Sequence, residues 1–291
     1  MTKNILLLGA NSYVGKRLFE FLNKDNDLNI KTLPSYFLES DIVSTSNNDF
    51  KNKYFIKLDT NFDIIINLVH IHKNNLNEEL IYNLELFKKI IFFSKVNSSK
   101  LIYFSSVNIN HTKTNKYGYV KKILEDELKN YNNYLVVRPS TIIERINNYY
   151  IGGRNGKSLK LINKFLDRFF LFPMVGKGNY LHTICFLDNL CDFMILNCKT
   201  DFLSNTIVNF FSGEYISYKE FIDYLKIKKK KKILNVYIPI SIIKFFIKAL
   251  YFLKISTLNV QMIDNLVSQK IEFDKTNEIE KFFEIKTMGN D

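Results

Sequence analysis

Tyr117-Gly118-Tyr119-Val120-Lys121 sets a phenol and an ammonium four residues apart, a spacing that puts both on one face of a helix. An ammonium beside a phenol favours the tyrosinate and draws its pKa down from about 10, making the pair a workable acid/base near neutrality. With 17 tyrosines and 41 lysines and arginines, about two or three such pairs arise by chance. Tyr215 with Lys219 and Tyr13 with Arg17 are two others. Position sets Tyr117 apart, because its helix follows a strand that ends in Ser105-Ser106. A hydroxyl at a strand's carboxyl end can hold a carbonyl oxygen while the phenol moves a proton to it.

A second constellation opens the chain. The apolar run Ile5-Leu6-Leu7-Leu8 leads into Gly9-Ala10-Asn11-Ser12-Tyr13-Val14-Gly15, and a helical pattern of Val14, Leu18, Phe21 and Leu22 follows at once. Such a strand–loop–helix passage points free helix N–H groups at a phosphate, with Gly9 allowing the tight turn. The spacing fits a G-x-x-G-x-x-G dinucleotide loop with Ser12 at the middle glycine. An ordinary turn with a packed Gly15 gives the same spacing, but the placement between strand and helix favours the cofactor.

The elements that must position these groups alternate. Strands read at 29–33, 63–69, 100–106 and 134–139, with helices at 78–93 and 118–128 and a polar loop at 39–52. Several strands are apolar on both faces, which predicts a Rossmann-type doubly wound parallel sheet with its ligands at the carboxyl edge. Past Pro139 the alternation loosens into helices at 159–170, 188–196 and 218–225 and strands at 183–187 and 206–210. This predicts a dinucleotide-binding domain over 1–150 and a small C-terminal substrate lobe over 151–291, with the strands at 183–187 and 206–210 returning toward the first.

In this order the motifs resemble the extended short-chain dehydrogenase/reductase family, also called the NAD-dependent epimerase/dehydratase family. Asp63-Ile64-Ile65-Ile66-Asn67-Leu68-Val69-His70 is similar to its D-x-V-I-H-L-A-A strand, and Asn83 to the asparagine of the next helix. Phe104-Ser105-Ser106-Val107, Tyr117 with Lys121, Val137-Arg138-Pro139-Ser140, Phe186-Leu187-Asp188-Asn189-Leu190 and Val208 to Glu214 follow in register. Within the family the pattern from Ile238 to Asp274 looks most like bacterial sugar-nucleotide 4-epimerases and 4-keto reductases of surface-polysaccharide synthesis. The resemblance implies NAD or NADP as cofactor, bound by Gly9, Asn11, Ser12, Tyr13, Val14, Gly15, Leu68, Val69, Asn83, Tyr117, Lys121 and Pro139. It implies catalysis by Ser106, Tyr117 and Lys121, with a nucleotide sugar, a UDP-sugar, as substrate. Tyr117 would exchange the C4 hydroxyl proton, Lys121 would lower its pKa and hold the ribose, and Ser106 would orient the developing carbonyl.

The chain departs from that pattern at Ser12, in a short stretch between Ser106 and Tyr117, and in a trimmed region before Asp63. Where the branch carries an arginine for the substrate diphosphate, this chain has Leu181-His182-Thr183. His182, Arg154 and Lys177 are the candidates for that role. The second strand ends Leu33-Pro34-Ser35 without the acidic residue that would bond an NAD ribose, so NADP stays open. A non-catalytic NAD(P)-binding interaction or redox-sensing protein on the same fold is the alternative, since fold does not fix function.

The net charge of +12 admits nucleic acid, an anionic small substrate, a membrane surface or plain compositional bias. Apart from the run Lys226 to Lys232 the charge is scattered, and no helix-turn-helix or zinc-finger pattern accompanies it, which disfavours nucleic acid. The segment from Ile233 to Leu258 is the most apolar, yet Lys244, Lys248 and Lys254 interrupt it. It therefore reads as a helix packed on the lobe with its charged face in water, and as weak membrane-surface contact at most, with no transmembrane span. Cys191 and Cys198, seven apart on a helical pattern, read as core residues, and neither the spacing of the three cysteines nor that of the four histidines resembles a metal site. A reduced, cytoplasmic setting with no leading signal segment is the expectation, and a homodimer is compatible with it.

Overall fold

Ile5 to Leu8 and Ile64 to Ile66 are apolar at successive rather than alternate positions, which a strand needs only when both sheet faces are covered. The computed structural model describes residues 2–33, 61–111, 115–146, 149–152, 157–200, 202–212, 215–253, 260–268, 280 and 282. The described residues fall into two units, one within 1–140, 187–210 and 275–291, the other within 141–186 and 211–274.

In the first unit, β1 (Lys3–Leu8), α1 (Tyr13–Leu22), β2 (Leu28–Leu33), β3 (Ile64–Asn67), α2 (Leu76–Asn97), β4 (Lys100–Phe104), α3 (Lys116–Glu127) and β5 (Tyr134–Pro139) alternate. The second unit contributes β6 (Thr141–Ile146), β7 (Tyr149–Gly152), α4 (Lys157–Arg168), β8 (Leu171–Val175) and β9 (Leu181–Phe186). The chain then returns to the first unit with α5 (Leu187–Lys199) and β10 (Thr206–Phe210). It closes in the second with β11 (Tyr215–Ser217), α6 (Tyr218–Lys228), β12 (Leu234–Ile238), α7 (Ile240–Phe252) and α8 (Val260–Ser268).

Six parallel strands form the first unit's sheet in the order β10-β5-β4-β3-β1-β2. Leu6, Leu8, Ile65, Leu101, Tyr103 and Val136 pack with Leu86, Phe87 and Ile90 of α2 and Val120 and Leu124 of α3. The alternate residues Ile5, Leu7 and Ile66 point to the opposite face by strand geometry and are just as buried. Helix α5 packs on α1, fixed by a two-pronged bond in which Arg17 Nε and Nη2 donate to the Asp188 carboxylate at 2.9 and 3.1 Å. Arg17 Nη1 also donates to Glu20 at 3.1 Å. Cys191 and Cys198 are buried in this unit. Burial pushes the Cys198 thiol up to about 12 and raises that of Cys191 as well, so both are packing residues.

The second unit holds the sheet β11-β9-β6-β7 and the pair β12-β8. Sequence analysis returns strands 183–187 and 206–210 to the first sheet; the structure returns only β10. Strand β9 instead lies parallel to β6, with Thr141 opposite Ile184. The first stretch of the first unit ends at Ser140 rather than near 150, the unit being completed by 187–210 and 275–291. Both strands are short and apolar, and only the presence of β6 as a neighbour decides where β9 pairs. The apolar segment forms a helix packed on this unit with Lys248 exposed, as expected, but its outward surface is apolar as well. Ile240 and Ile243 of α7 pack on the unit's core, while Phe245, Phe246 and Phe252 are exposed. Among the described residues no helix is long and apolar enough to cross a membrane.

One buried ion pair ties α3 to the sheet. Arg138 donates from Nε and Nη2 to the two carboxylate oxygens of Glu125 at 3.0 and 2.5 Å, and the Ser105 hydroxyl donates to the same carboxylate. The Glu125 side chain is only 2% exposed. Removing one partner strands a buried charge, so Arg138→Leu is expected to cost about 3–5 kcal/mol in urea unfolding. The double variant Glu125→Leu/Arg138→Leu is expected to cost clearly less, since neither charge is then orphaned.

Candidate active site

The sheet's strand order reverses between β1 and β3, and two backbones meet there. Gly9 follows β1 with φ +86°, and a Cβ at this position would come within 3.2 Å of Leu68. Both the left-handed backbone and the close approach therefore require glycine. Ser12 N–H donates to the Gly9 carbonyl at 2.9 Å. The Ser12 side chain then caps α1, accepting from Gly15 N–H at 3.0 Å. Ser12 has φ −71°, so this position makes no demand for glycine and the departure from the G-x-x-G-x-x-G pattern has a structural cause. No acidic residue occupies the first turn of α1, which leaves its N-terminus favourable to an anion.

Beyond β3 the chain is clamped from α2. Asn83, buried, accepts from Ile71 N–H at 2.9 Å and donates to the carbonyls of Ile71 at 2.7 Å and Glu79 at 2.6 Å. Both ends of its amide thus bind the chain itself. Asn67 accepts from Val69 N–H at 2.9 Å, a second clamp on Leu68 and Val69 that sequence analysis missed.

Glu79 is the other missed residue. Its carboxylate, 4% exposed, is hydrogen-bonded to His70 Nε2 at 3.1 Å, meets Lys116 Nζ at 3.1 Å and accepts Lys73 N–H at 2.9 Å. Lys116 also donates to the carbonyls of Lys73 and Asn74 at 2.7 and 3.2 Å. Sequence analysis finds no metal-like spacing among the histidines, yet the fold gathers one potential ligand atom from each of His70, His72 and Glu79 within 4.8 Å of one another. The signal available was His70-x-His72, which puts both rings on one side of an extended chain; Glu79 arrives only because α2 starts so soon after. The Lys116 ammonium already balances that carboxylate.

The rings of His70 and Tyr117 meet edge to face with centroids 4.7 Å apart. Tyr117 lies in the first turn of α3, which Asn115 caps by accepting Gly118 N–H at 3.1 Å. One turn on, the buried Lys121 donates to the Phe104 carbonyl at the end of β4 at 2.7 Å. Its Nζ stands 4.6 Å from the centre of the Tyr103 ring and 5.6 Å from that of Tyr117. Ser105 is engaged by Glu125, whereas Ser106 accepts Asn108 N–H at 3.2 Å in a short 3-10 turn over Val107–His111. A Cβ on Gly118 would run into the Asn108 carbonyl, so this glycine lets α3 lie against the turn that carries Ser106. Sequence analysis overlooked it because Gly118 reads as an unremarkable residue inside the motif.

No family model matches the chain. It is 24% identical over 258 residues to an N-acetyl-α-D-glucosaminyl-diphospho-ditrans,octacis-undecaprenol 4-epimerase of Escherichia coli O157:H7, covering 82% of this chain and 76% of that one. Among solved structures it is similar to a dTDP-4-dehydrorhamnose reductase of Bacillus anthracis str. Ames in complex with NADP, with TM-score 0.63, 18% identity, and 82% and 85% of the two chains covered. A UDP-glucuronic acid 4-epimerase of Bacillus cereus in complex with NAD gives TM-score 0.62, 17% identity, and coverage of 89% and 95%. The chain shares the fold of these solved nucleotide-sugar reductases and epimerases.

On this fold the first unit brings together the Gly9–Gly15 loop, Leu68, Val69, Ser106, Tyr117 and Lys121. Pro139 is buried at the end of β5. The rival pair sits on two different elements of the second unit: Tyr215 lies half exposed on β11, and Lys219 of α6 bonds Asp223 at 2.8 Å. His182 is on β9 and Lys177 on the exposed turn before it, both in the second unit. Arg154 and the Pro34-Ser35 end of the second strand lie outside the described residues. Gly→Ala inside a helix usually stabilises by about 1 kcal/mol. For Gly118→Ala the opposite sign is expected, a loss of about 1–3 kcal/mol in urea unfolding, because the new methyl has no room against the Asn108 carbonyl.

Proposed function

We propose that the chain is an NAD(P)-dependent enzyme of the extended short-chain dehydrogenase/reductase family, an epimerase or 4-keto reductase acting at C4 of a UDP-sugar for polysaccharide synthesis. One observation carries the proposal. A phenol and a buried ammonium stand one turn apart on α3, against the turn that carries Ser106, on the same unit as the Gly9–Gly15 loop at the strand-order reversal.

The residues present fit a dinucleotide. Gly9 keeps open a space that a Cβ would fill against Leu68, and α1 offers an N-terminus without acidic residues. The loop from Gly9 to Gly15 would hold the pyrophosphate, and Leu68 and Val69 would line the cofactor. The nicotinamide supplies the hydride acceptor and donor. Tyr117 then takes the proton of the C4 hydroxyl, or returns one to a C4 carbonyl. Lys121, held by the Phe104 carbonyl, places positive charge over the Tyr117 ring and stabilises the phenolate formed. Ser106 donates to the carbonyl oxygen as charge develops on it. His182 and Lys177 are proposed contacts for the substrate diphosphate.

A second reading keeps this chemistry but carries the sugar on a lipid diphosphate, as the name of the E. coli relative describes. The exposed apolar face of α7 favours it.

Turnover measured on UDP-sugars, dTDP-4-keto sugars and a polyprenyl-diphosphate-linked N-acetylglucosamine separates these. Tyr117→Phe removes the proton and keeps the ring, so kcat is expected to fall by a factor on the order of 10² to 10⁴. Tyr215→Phe is expected to leave it unchanged. Equal turnover by Tyr117→Phe and the parent contradicts the mechanism, and a parent that binds dinucleotide yet turns over none of the substrates supports the non-catalytic alternative.

A further inference from the structure

The second unit puts most of the protein's excess charge and its barest apolar surface in one segment. Between Asp223 and Asp264 the sequence has nine lysines and neither Asp nor Glu, within a chain of net charge +12. Helix α7 lies in the middle of this segment and is apolar on two opposite sides. Ile240 and Ile243 pack on the unit's core, and Ile247, in line with them, is buried. Ile242, Phe245, Phe246 and Phe252 are 45%, 69%, 60% and 85% exposed. With Ala249 and Leu253 these recur at the i, i+3, i+4, i+7 spacing of a single helix face. Lys244 and Lys248 project from one flank between the two stripes by the same periodicity, and Lys244 pairs with Asp264.

The two-stranded pair β12-β8 is also bare on one side. Leu234 and Leu171, opposite one another in the register, are 68% and 39% exposed, and neighbouring Phe170 is 72% exposed. Soluble surfaces rarely concentrate so many exposed aromatic and branched side chains without a partner for them.

The charge identifies that partner. Lys226, Lys229 and Lys244 pair with Asp223, Asp167 and Asp264. Nine lysines against three acids still leave a positive surplus, which matches an anionic plane rather than the mixed charges of a protein groove. Lys230, Lys231 and Lys232 are exposed just before β12. A 13-residue helix is about 20 Å long, too short for a hydrocarbon core of about 30 Å, so it can lie in the interface but not span. Aromatic residues on one face with lysines at the flank are the composition of an interfacial helix, the lysine stems reaching up to headgroup level.

We propose that α7 is a membrane-docking helix, seating Phe245, Phe246, Phe252 and Leu253 at the headgroup boundary of an anionic bilayer while the exposed Lys230, Lys231 and Lys232 add electrostatic attraction. This exceeds the weak contact expected from sequence, where the lysines look like interruptions of an apolar run. Under the reading of the active site above, docking favours a lipid-linked over a free sugar diphosphate. The test needs no substrate, so its failure leaves that active-site reading untouched.

Flotation of the full chain with vesicles of phosphatidylcholine containing phosphatidylglycerol, against vesicles of phosphatidylcholine alone, reads the interaction directly. The parent is expected to float with the anionic vesicles and to be released by high salt. Phe245→Ser/Phe246→Ser is expected to weaken binding roughly ten-fold or more, with an unchanged melting curve. Lys230→Gln/Lys232→Gln is expected to weaken it by a smaller factor and to reduce the salt dependence. The proposal is overturned if the parent does not float, or if the phenylalanine variant floats as the parent does. It is equally overturned if sedimentation shows that these phenylalanines join two copies of the chain while no vesicle is bound.

Discussion

Tyr117, Lys121 and Glu125 follow one another at intervals of four along α3, so they line the face that the helix turns to the sheet. A helix seated on a parallel sheet ordinarily offers apolar side chains there. Here Val120 and Leu124 do so, but the neighbouring stripe is polar and must be satisfied without water. The ends of β4 and β5 satisfy it. The Phe104 carbonyl takes the Lys121 ammonium, and Ser105 and Arg138 take the Glu125 carboxylate. With Lys116 bonded to Glu79 of α2 and Gly118 against the Ser106 turn, α3 is fixed at four positions within ten residues. That fixation gives Tyr117 its place. A phenol acting as acid/base must be held within a fraction of an ångström of its partner, and packing alone seldom provides such definition.

The same economy of purpose appears around the reversal of strand order. Leu8 of β1 lies opposite Asn67 of β3, so both strands reach the carboxyl edge together and the loops beyond them run side by side. Gly9 permits the approach, Asn67 and Asn83 hold the β3 side, and Ser12 closes the first turn of α1. Each of these bonds consumes a backbone group that a loop would otherwise leave to water. What remains at the edge is a helix N-terminus and a narrow space, which is the physical requirement for gripping a pyrophosphate.

Much of this was legible in the sequence because apolar runs and helical periodicity survive even where motifs blur. The six strands of the parallel sheet, the loop at Gly9 and the pair Tyr117–Lys121 stood out for that reason. Residues whose partners lie far along the chain did not. Arg17 finds Asp188 across 171 positions, Glu79 finds Lys116 across a whole helix and strand, and β9 joins β6 because that neighbour exists. In α7 the periodicity itself misleads, since the helix is apolar on two opposite faces and nothing local says which of them the core takes. The lysines were visible as charge, but their grouping into a stretch without any acid mattered more than their interruption of the apolar run.

Isothermal titration calorimetry of the intact chain with NAD, NADH, NADP and NADPH tests the central claim most directly, because the whole account rests on a dinucleotide at the loop from Gly9 to Gly15. It predicts saturable binding of one dinucleotide per chain for at least one of the four, lost in Gly9→Val, whose side chain would fill the space beside Leu68. A folded parent that gives no binding heat with any of them at several temperatures, or a Gly9→Val variant that binds as the parent does, would contradict it.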